Sequence, residues 1–290
     1  MSPASHLKNI GVLGLGIIGS RAADNLRKAG HDVFVWSRSA RPVPNFLASP
    51  REVAQTANVV QIFVRDGEAL LEAVSDMQPV LERHHVIVNN ATVSKEATLE
   101  AASICEKAGA GFLDCPFTGS KNAAADGKLV YYVGGEEFLL DRVRSVLAAT
   151  SAEILHVGAV GEATVLKIAT NLVSAVTAEV LAEAASLVQA DGVEPEKLLA
   201  ALKLNANYSM LAGMKLPAMI AGEFEPHFSL RNMLKDVDFG RAMAERLKVD
   251  VPTIDATATI MRKGVDAGKG DQDFSVIGAA ISAKKGAAKA

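Results

Sequence analysis

Lys167 stands one helical turn before Asn171 in a run otherwise dominated by Ala, Val, Leu and Ile. A charge in such surroundings needs a reason. An ammonium beside a carboxamide can hydrogen-bond an oxygen on which negative charge accumulates and hand it a proton. Spacing of i,i+4 puts both side chains on one helix face, with Ser174 further along it. Helix spacing alone fits a lysine that snorkels to water at a domain edge equally well. The turn Gly158-Ala159-Val160-Gly161 just upstream tips the balance, because it lets the backbone pass from a last strand into the helix and places Lys167 near a domain cleft. Three other groups could do chemistry: Gly14-Leu15-Gly16-Ile17-Ile18-Gly19, the segment Asp114 to Ser120, and Lys235-Asp236. As an adjacent pair on a helix, Lys235 and Asp236 read by themselves as solvated surface charge. His84, His85, His156 and His227 are scattered, and no His/Cys/carboxylate cluster has metal-ligand spacing.

The glycine group follows the apolar run Asn9 to Leu13 and precedes a helical pattern, the strand-to-helix context that dinucleotide binding requires. Gly14 suits the tight turn, Gly16 the approach of a pyrophosphate to backbone N–H groups, and Gly19 close helix–strand packing. A second strand, Asp32 to Trp36, ends in Ser37-Arg38-Ser39 rather than in the acid that would bind a ribose 2′-hydroxyl. A guanidinium with two hydroxyls suits a 2′-phosphate, so the expected cofactor is NADPH; the bland alternative is an exposed arginine at a strand end. Phe63 and Val64, closing the third strand candidate, complete the cofactor side.

These residues need a frame. Strand candidates at Asn9–Gly14, Asp32–Trp36, Val59–Val64, Val86–Asn89, Phe112–Cys115, Leu129–Val133 and Glu153–Val157 alternate with helix signals, among them Gly30 as a helix stop and Ser49-Pro50-Arg51-Glu52 as a capped start. The alternation predicts an α/β fold, a doubly wound parallel Rossmann sheet over residues 1–161. From residue 162 to 290 an all-helical domain is expected: Thr164 to Ala190 has no Pro or Gly and is apolar almost all round, and later helices are expected to break at Gly213, Pro217, Gly222 and Pro226. At 290 residues, 49% hydrophobic and 22% charged, the chain is long enough for two such domains. A net charge of -3 gives no argument for nucleic acid or an anionic membrane. Cys105 and Cys115 form no framework, though one bond between them stays open, and a cytoplasmic location is expected. Neither a signal peptide nor a membrane span fits the polar stretch Met1 to Lys8 and the Gly-rich run after it, which Arg21 interrupts, and Ala283 to Ala290 reads as a frayed tail.

Taken in order, the motifs resemble those of the β-hydroxyacid dehydrogenase family, over essentially Asn9 to Ile277. Gly14 to Gly19 is similar to its cofactor loop, Asn90-Ala91-Thr92-Val93-Ser94 to its nicotinamide turn, and Phe112 to Ser120 to its substrate loop. Gly158 to Asn171 is similar to the catalytic segment, and Phe228 to Asp236 with Asp271 to Ser275 to its C-terminal motifs. Thr118-Gly119-Ser120-Lys121, the run Ala124 to Leu129 and Arg38 look most like the glyoxylate/succinic semialdehyde reductase branch. Ala91, Phe117, Thr118 and Ser120 depart from the commoner pattern, and Phe117 narrows the expected pocket. The resemblance implies Lys167 as proton donor with Asn171 orienting it or the substrate oxygen, and Thr118, Gly119 and Ser120 as carboxylate donors; Thr118 as a mere turn residue is the alternative. It also implies Thr92 and Lys235 on the cofactor, Asp236 lining the site, no metal, and a homo-oligomer, dimer or tetramer, through the helical domain. The expected reaction is NADPH-dependent reduction of a short aldehyde or keto acid. A 3-hydroxyacid dehydrogenase, an imine reductase and a non-catalytic nucleotide-binding module are the alternatives; Lys167 argues against the last two.

Overall fold

The computed structural model describes residues 7–279 and 281; the expected tail from Ala283 lies outside them. The chain divides between Lys167 and Ile168 into two compact units.

The first unit alternates strand and helix: β1 (Asn9–Leu13), α1 (Ile17–Lys28), β2 (Asp32–Trp36), α2 (Pro50–Thr56), β3 (Val59–Ile62), α3 (Gly67–Met77), β4 (Val86–Asn89), α4 (Lys95–Lys107) and β5 (Gly111–Asp114). Then follow β6 (Phe117–Thr118), α5 (Lys121–Ala125), β7 (Leu129–Gly134), α6 (Glu137–Ala148) and β8 (Ser151–Gly158). Strands β2-β1-β3-β4-β5 are parallel neighbours in that order. Helices cover both faces, and β3 and β4 are buried at every position, Gln61 and Asn89 included. One face packs Val12, Val35 and Val88, the other Leu13, Ile62 and Ile87. The order reverses between β1 and β3, and the crevice beyond their carboxyl ends is where such sheets bind ligands.

The sheet is predominantly parallel, as the sequence implied, and departs from that pattern at its last strands. There β7 runs antiparallel to β5 and to β6, and β8 parallel to β7, so the last strands reverse direction. The two-residue β6 is too short to leave a periodic signal. The cap at Ser49 holds as expected, with Glu52 N donating to Ser49 Oγ at 3.2 Å, although the Glu52 carboxylate reaches back to Ala48 N instead of the cap residue. Cys105 and Cys115 are both buried free thiols, and burial pushes Cys105 up to about 12.

In the second unit, α7 (Glu162–Ala190) continues from its first turns into a bundle with α8 (Pro195–Lys203), α9 (Met210–Ala221), α10 (Leu230–Leu247) and α11 (Pro252–Gly264). Ala175, Ala178 and Ala185 of α7 pack in one core with Leu216, Met219, Met233 and Met261. By length and composition α7 could cross a membrane, with a mean hydropathy of 1.5, yet it also carries this core. Its other side leaves Val173, Val180 and Leu187, seven residues apart, exposed. The expected breaks at Gly213 and Pro217 do not occur, since both lie inside α9. Burial of Ala212, Leu216, Met219 and Ile220 on one face outweighs the roughly 3 kcal/mol cost of an interior proline. Gly222 does end that helix, in the left-handed conformation.

Candidate functional site

The glycine loop has the geometry its residue types demand. Gly14 has φ +91°, and a Cβ there would lie 2.1 Å from the Phe63 carbonyl oxygen. At Gly19 a Cβ would come within 2.0 Å of the Gly14 oxygen, so only glycine lets α1 sit this close to the sheet. Nothing lies within 4 Å of a Cβ built at Gly16, the residue preceding the helix, and no side chain caps α1. The first-turn N–H groups of α1 therefore face open space suited to a pyrophosphate, and these residues fit a dinucleotide. Leu15 is buried in the core, Ile18 packs against that core, and Ile17 is half exposed in the first turn of α1.

Beside the loop, at the carboxyl ends of β1 and β3, a cavity of about 350 Å³ is lined by Gly14, Phe63 and Val64 together with Trp36 and Arg38. The Ser37 hydroxyl donates to the Ser39 carbonyl at 2.6 Å and closes the turn after β2. Arg65, Glu72 and Asp76 also line the cavity and were not foreseen. The signal for Arg65 was its place directly after the third strand.

The candidate substrate loop is tied to its neighbours by buried side chains. Asn90, in the turn after β4, donates to the Cys115 carbonyl at 2.8 Å, linking the Thr92 turn to the segment that leads into Thr118. Thr118 pairs with Val130 across β6 and β7, and Gly119 takes φ +133°. Ser120 is the N-cap of α5, where its hydroxyl accepts from Ala123 N at 3.3 Å and keeps its own proton to give. Phe117 packs tilted against Phe63 at 6.2 Å between ring centroids.

Asp114 positions the head of α7. Its carboxylate accepts from Gly161 N at 3.1 Å, Thr164 N at 2.8 Å and Thr164 Oγ1 at 2.8 Å. Burial pushes this carboxyl above its ordinary value, and the Thr164 and Gly161 donors offset only part of that. A cap supplied from 50 residues away fixes where the helix begins, and with it the position of Lys167, which is 8% exposed. No local pattern announces such a cap.

Within the second unit, α10 approaches α7 so closely that a Cβ on Gly240 would meet Leu172 at 2.7 Å. One turn before Gly240, Asp236 is 1% exposed and accepts from Asn171 Nδ2 at 2.6 Å. Lys235 Nζ stands 2.9 Å from the other oxygen of Asp236 and 4.8 Å from the Phe239 ring centroid. Solvated surface charge does not describe this pair. A carboxylate held by an ammonium and an amide fixes the Asn171 rotamer and leaves its carboxamide oxygen to serve as an acceptor. Ser174, by contrast, bonds back to the Thr170 carbonyl at 3.1 Å.

The glycine loop, the switch-point cavity and the helical second unit define a nicotinamide-dinucleotide-binding α/β protein. The NAD-binding domain of 6-phosphogluconate dehydrogenase matches residues 9–158, and the NAD-binding domain of NADP-dependent 3-hydroxyisobutyrate dehydrogenase matches residues 161–281. The chain belongs to the β-hydroxyacid dehydrogenase family. It is 27% identical over 96% of its length to glyoxylate/succinic semialdehyde reductase 2 of Arabidopsis thaliana, covering 80% of that protein. It is 28% identical over 94% of its length to the cytokine-like nuclear factor N-PAC of Anopheles gambiae, and spans 50% of that longer chain. The structure of Mycobacterium tuberculosis 3-hydroxyisobutyrate dehydrogenase with L-serine aligns with a TM-score of 0.86 at 26% identity, covering 94% of this chain and 98% of the other.

Proposed function

We propose that this protein is an NADPH-dependent reductase of short aldehyde or keto acids, of the glyoxylate or succinic semialdehyde type. The observation that carries the reading is Lys167, buried at the head of a helix whose start is held by Asp114. Bound NADPH supplies a hydride to the carbonyl carbon. Lys167, as the ammonium, hydrogen-bonds the carbonyl oxygen as negative charge grows there and gives it a proton. Asn171, with its N–H committed to Asp236, offers its oxygen toward the same helix face and orients the lysine. Thr118, the Gly119 backbone and the free proton of Ser120 receive the substrate carboxylate.

For the cofactor, Arg38 at the cavity and the lack of an acid at the end of β2 support a 2′-phosphate. Michaelis constants for NADPH and NADH test this: the wild type is expected to favour NADPH, and Arg38→Ala to lose most of that preference. A preference for NADH that Arg38→Ala leaves unchanged would remove the assignment. Self-association is assigned to the exposed stripe of Val173, Val180 and Leu187, which a second copy would cover. Sedimentation velocity should show a dimer or tetramer that Val180→Glu dissociates; a monomeric wild type speaks against it.

A further inference from the structure

The cavity at the end of β2 carries two arginines. Arg38 follows β2 and Arg65 follows β3, so they reach it from the loops on either side of the glycine loop that follows β1. We propose that Arg65 is a second cation for the ribose 2′-phosphate, acting with Arg38 to set cofactor choice; the inference rests on the NADPH reading.

Three observations carry it. Both guanidiniums act on one carboxylate, Asp66, whose pKa is lowered first by its bond from Ala69 N and then by the charges of Arg65 and Arg38. Both side chains line the same cavity. Asp66 cannot neutralise both, because its carboxylate already caps α3 through Ala69 N at 3.0 Å and holds Arg65 Nε at 3.2 Å. Of the two acids that line the cavity, Asp76 accepts from Arg51 N at 2.9 Å and pairs with the Arg51 guanidinium at 3.4 Å, while Glu72 is exposed. A dianion between Arg38 and Arg65 would receive charge-assisted bonds from two planar forks. The apolar walls from Trp36, Val64, Ala69 and Ala73 leave room for the adenine beside it.

Trp36 is the only tryptophan in the sequence and lines this cavity, so its fluorescence reports binding without turnover. Titrations would compare adenosine 2′,5′-bisphosphate with adenosine 5′-monophosphate, which differ by the 2′-phosphate alone, in the wild type, Arg38→Gln, Arg65→Gln and Arg65→Lys. The wild type should bind the bisphosphate more tightly. Arg65→Gln should weaken it about tenfold, the loss expected when a charged hydrogen-bond donor is removed, and leave the monophosphate unchanged. Arg65→Lys should recover part of the loss. If Arg38→Gln weakens the bisphosphate and Arg65→Gln does not, or Arg65→Gln weakens both ligands equally, the role of Arg65 is overturned and the NADPH reading stands. If the wild type does not distinguish the two ligands, both fall.

Discussion

Lys167→Ala is expected to bind NADPH as the wild type does and to lose roughly a hundred- to ten-thousandfold in turnover, the range for removal of a general acid. Binding is read from Trp36 fluorescence and turnover from NADPH consumption, so a folding defect and a chemical defect separate. The binding expectation follows from position: the glycine loop and the Trp36 cavity lie at the ends of β1 and β3, whereas Lys167 belongs to the helix that follows β8. Asn171→Ala should cost less, since it removes a residue that orients the lysine and leaves the proton donor in place. It also strips Asp236 of the amide that holds it opposite Lys235, which makes a modest stability loss part of the same expectation. Near-wild-type turnover in Lys167→Ala would refute the role.

The second large effect concerns stability. Lys215, inside α9, meets Asp273 at 2.8 Å, and both side chains are nearly inaccessible to water. Asp273 further accepts from His227 N, Phe228 N, Ser275 N and Ser275 Oγ, and so pins the segment after α9 to the segment after α11. Lys215 Nζ also lies 4.4 Å from the Phe274 ring centroid. Removing one member of such a pair strands a buried charge, so Lys215→Ala should lower unfolding free energy by about 3–5 kcal/mol in urea titrations. A pH dependence accompanies it. Burial alone would raise the Asp273 carboxyl, but Lys215 and Ser275 outweigh burial and hold it below its ordinary 3.8. A lowered carboxyl stabilises the fold above the unfolded value, and that contribution is lost as pH falls through the folded one. The wild type should therefore lose stability below about pH 4, and Asp273→Asn should show a shallower loss there. An acid limb of equal steepness in both proteins would show that the pair is not its source.

Much of the first unit was legible because its determinants are local. The Ser49 cap and the stop at Gly30 depend on residues within one turn, the three glycines of the loop sit within six residues, and short β-rich runs between helix signals marked the strands. What escaped depends on distant partners. Pro217 predicts a break until the burial of Leu216 and Met219 against α7 and the neighbouring helices is known. Asp114 looks like one more motif letter until Gly161 and Thr164 are seen donating to it. Lys235-Asp236 reads as surface charge until the close approach at Gly240 buries Asp236 beside Asn171. Arg65 gained meaning only when β3 proved to lie beside β1, with Arg38 opening into the same cavity. Family motifs pointed to Lys167 and Asn171; the side chains that hold them in place are visible only in three dimensions.

The most direct test of the central claim is NADPH oxidation by the purified protein over a panel of glyoxylate, succinic semialdehyde, tartronate semialdehyde, methylmalonate semialdehyde and cyclic imines. Rapid consumption is expected with one or more of the carboxylate-bearing carbonyls, little with the imines, and roughly a hundredfold less or lower still in Lys167→Ala. Bound NADPH with no turnover on any acid in the panel, or turnover confined to imines, would contradict the assignment of Lys167 as proton donor to a carbonyl acid.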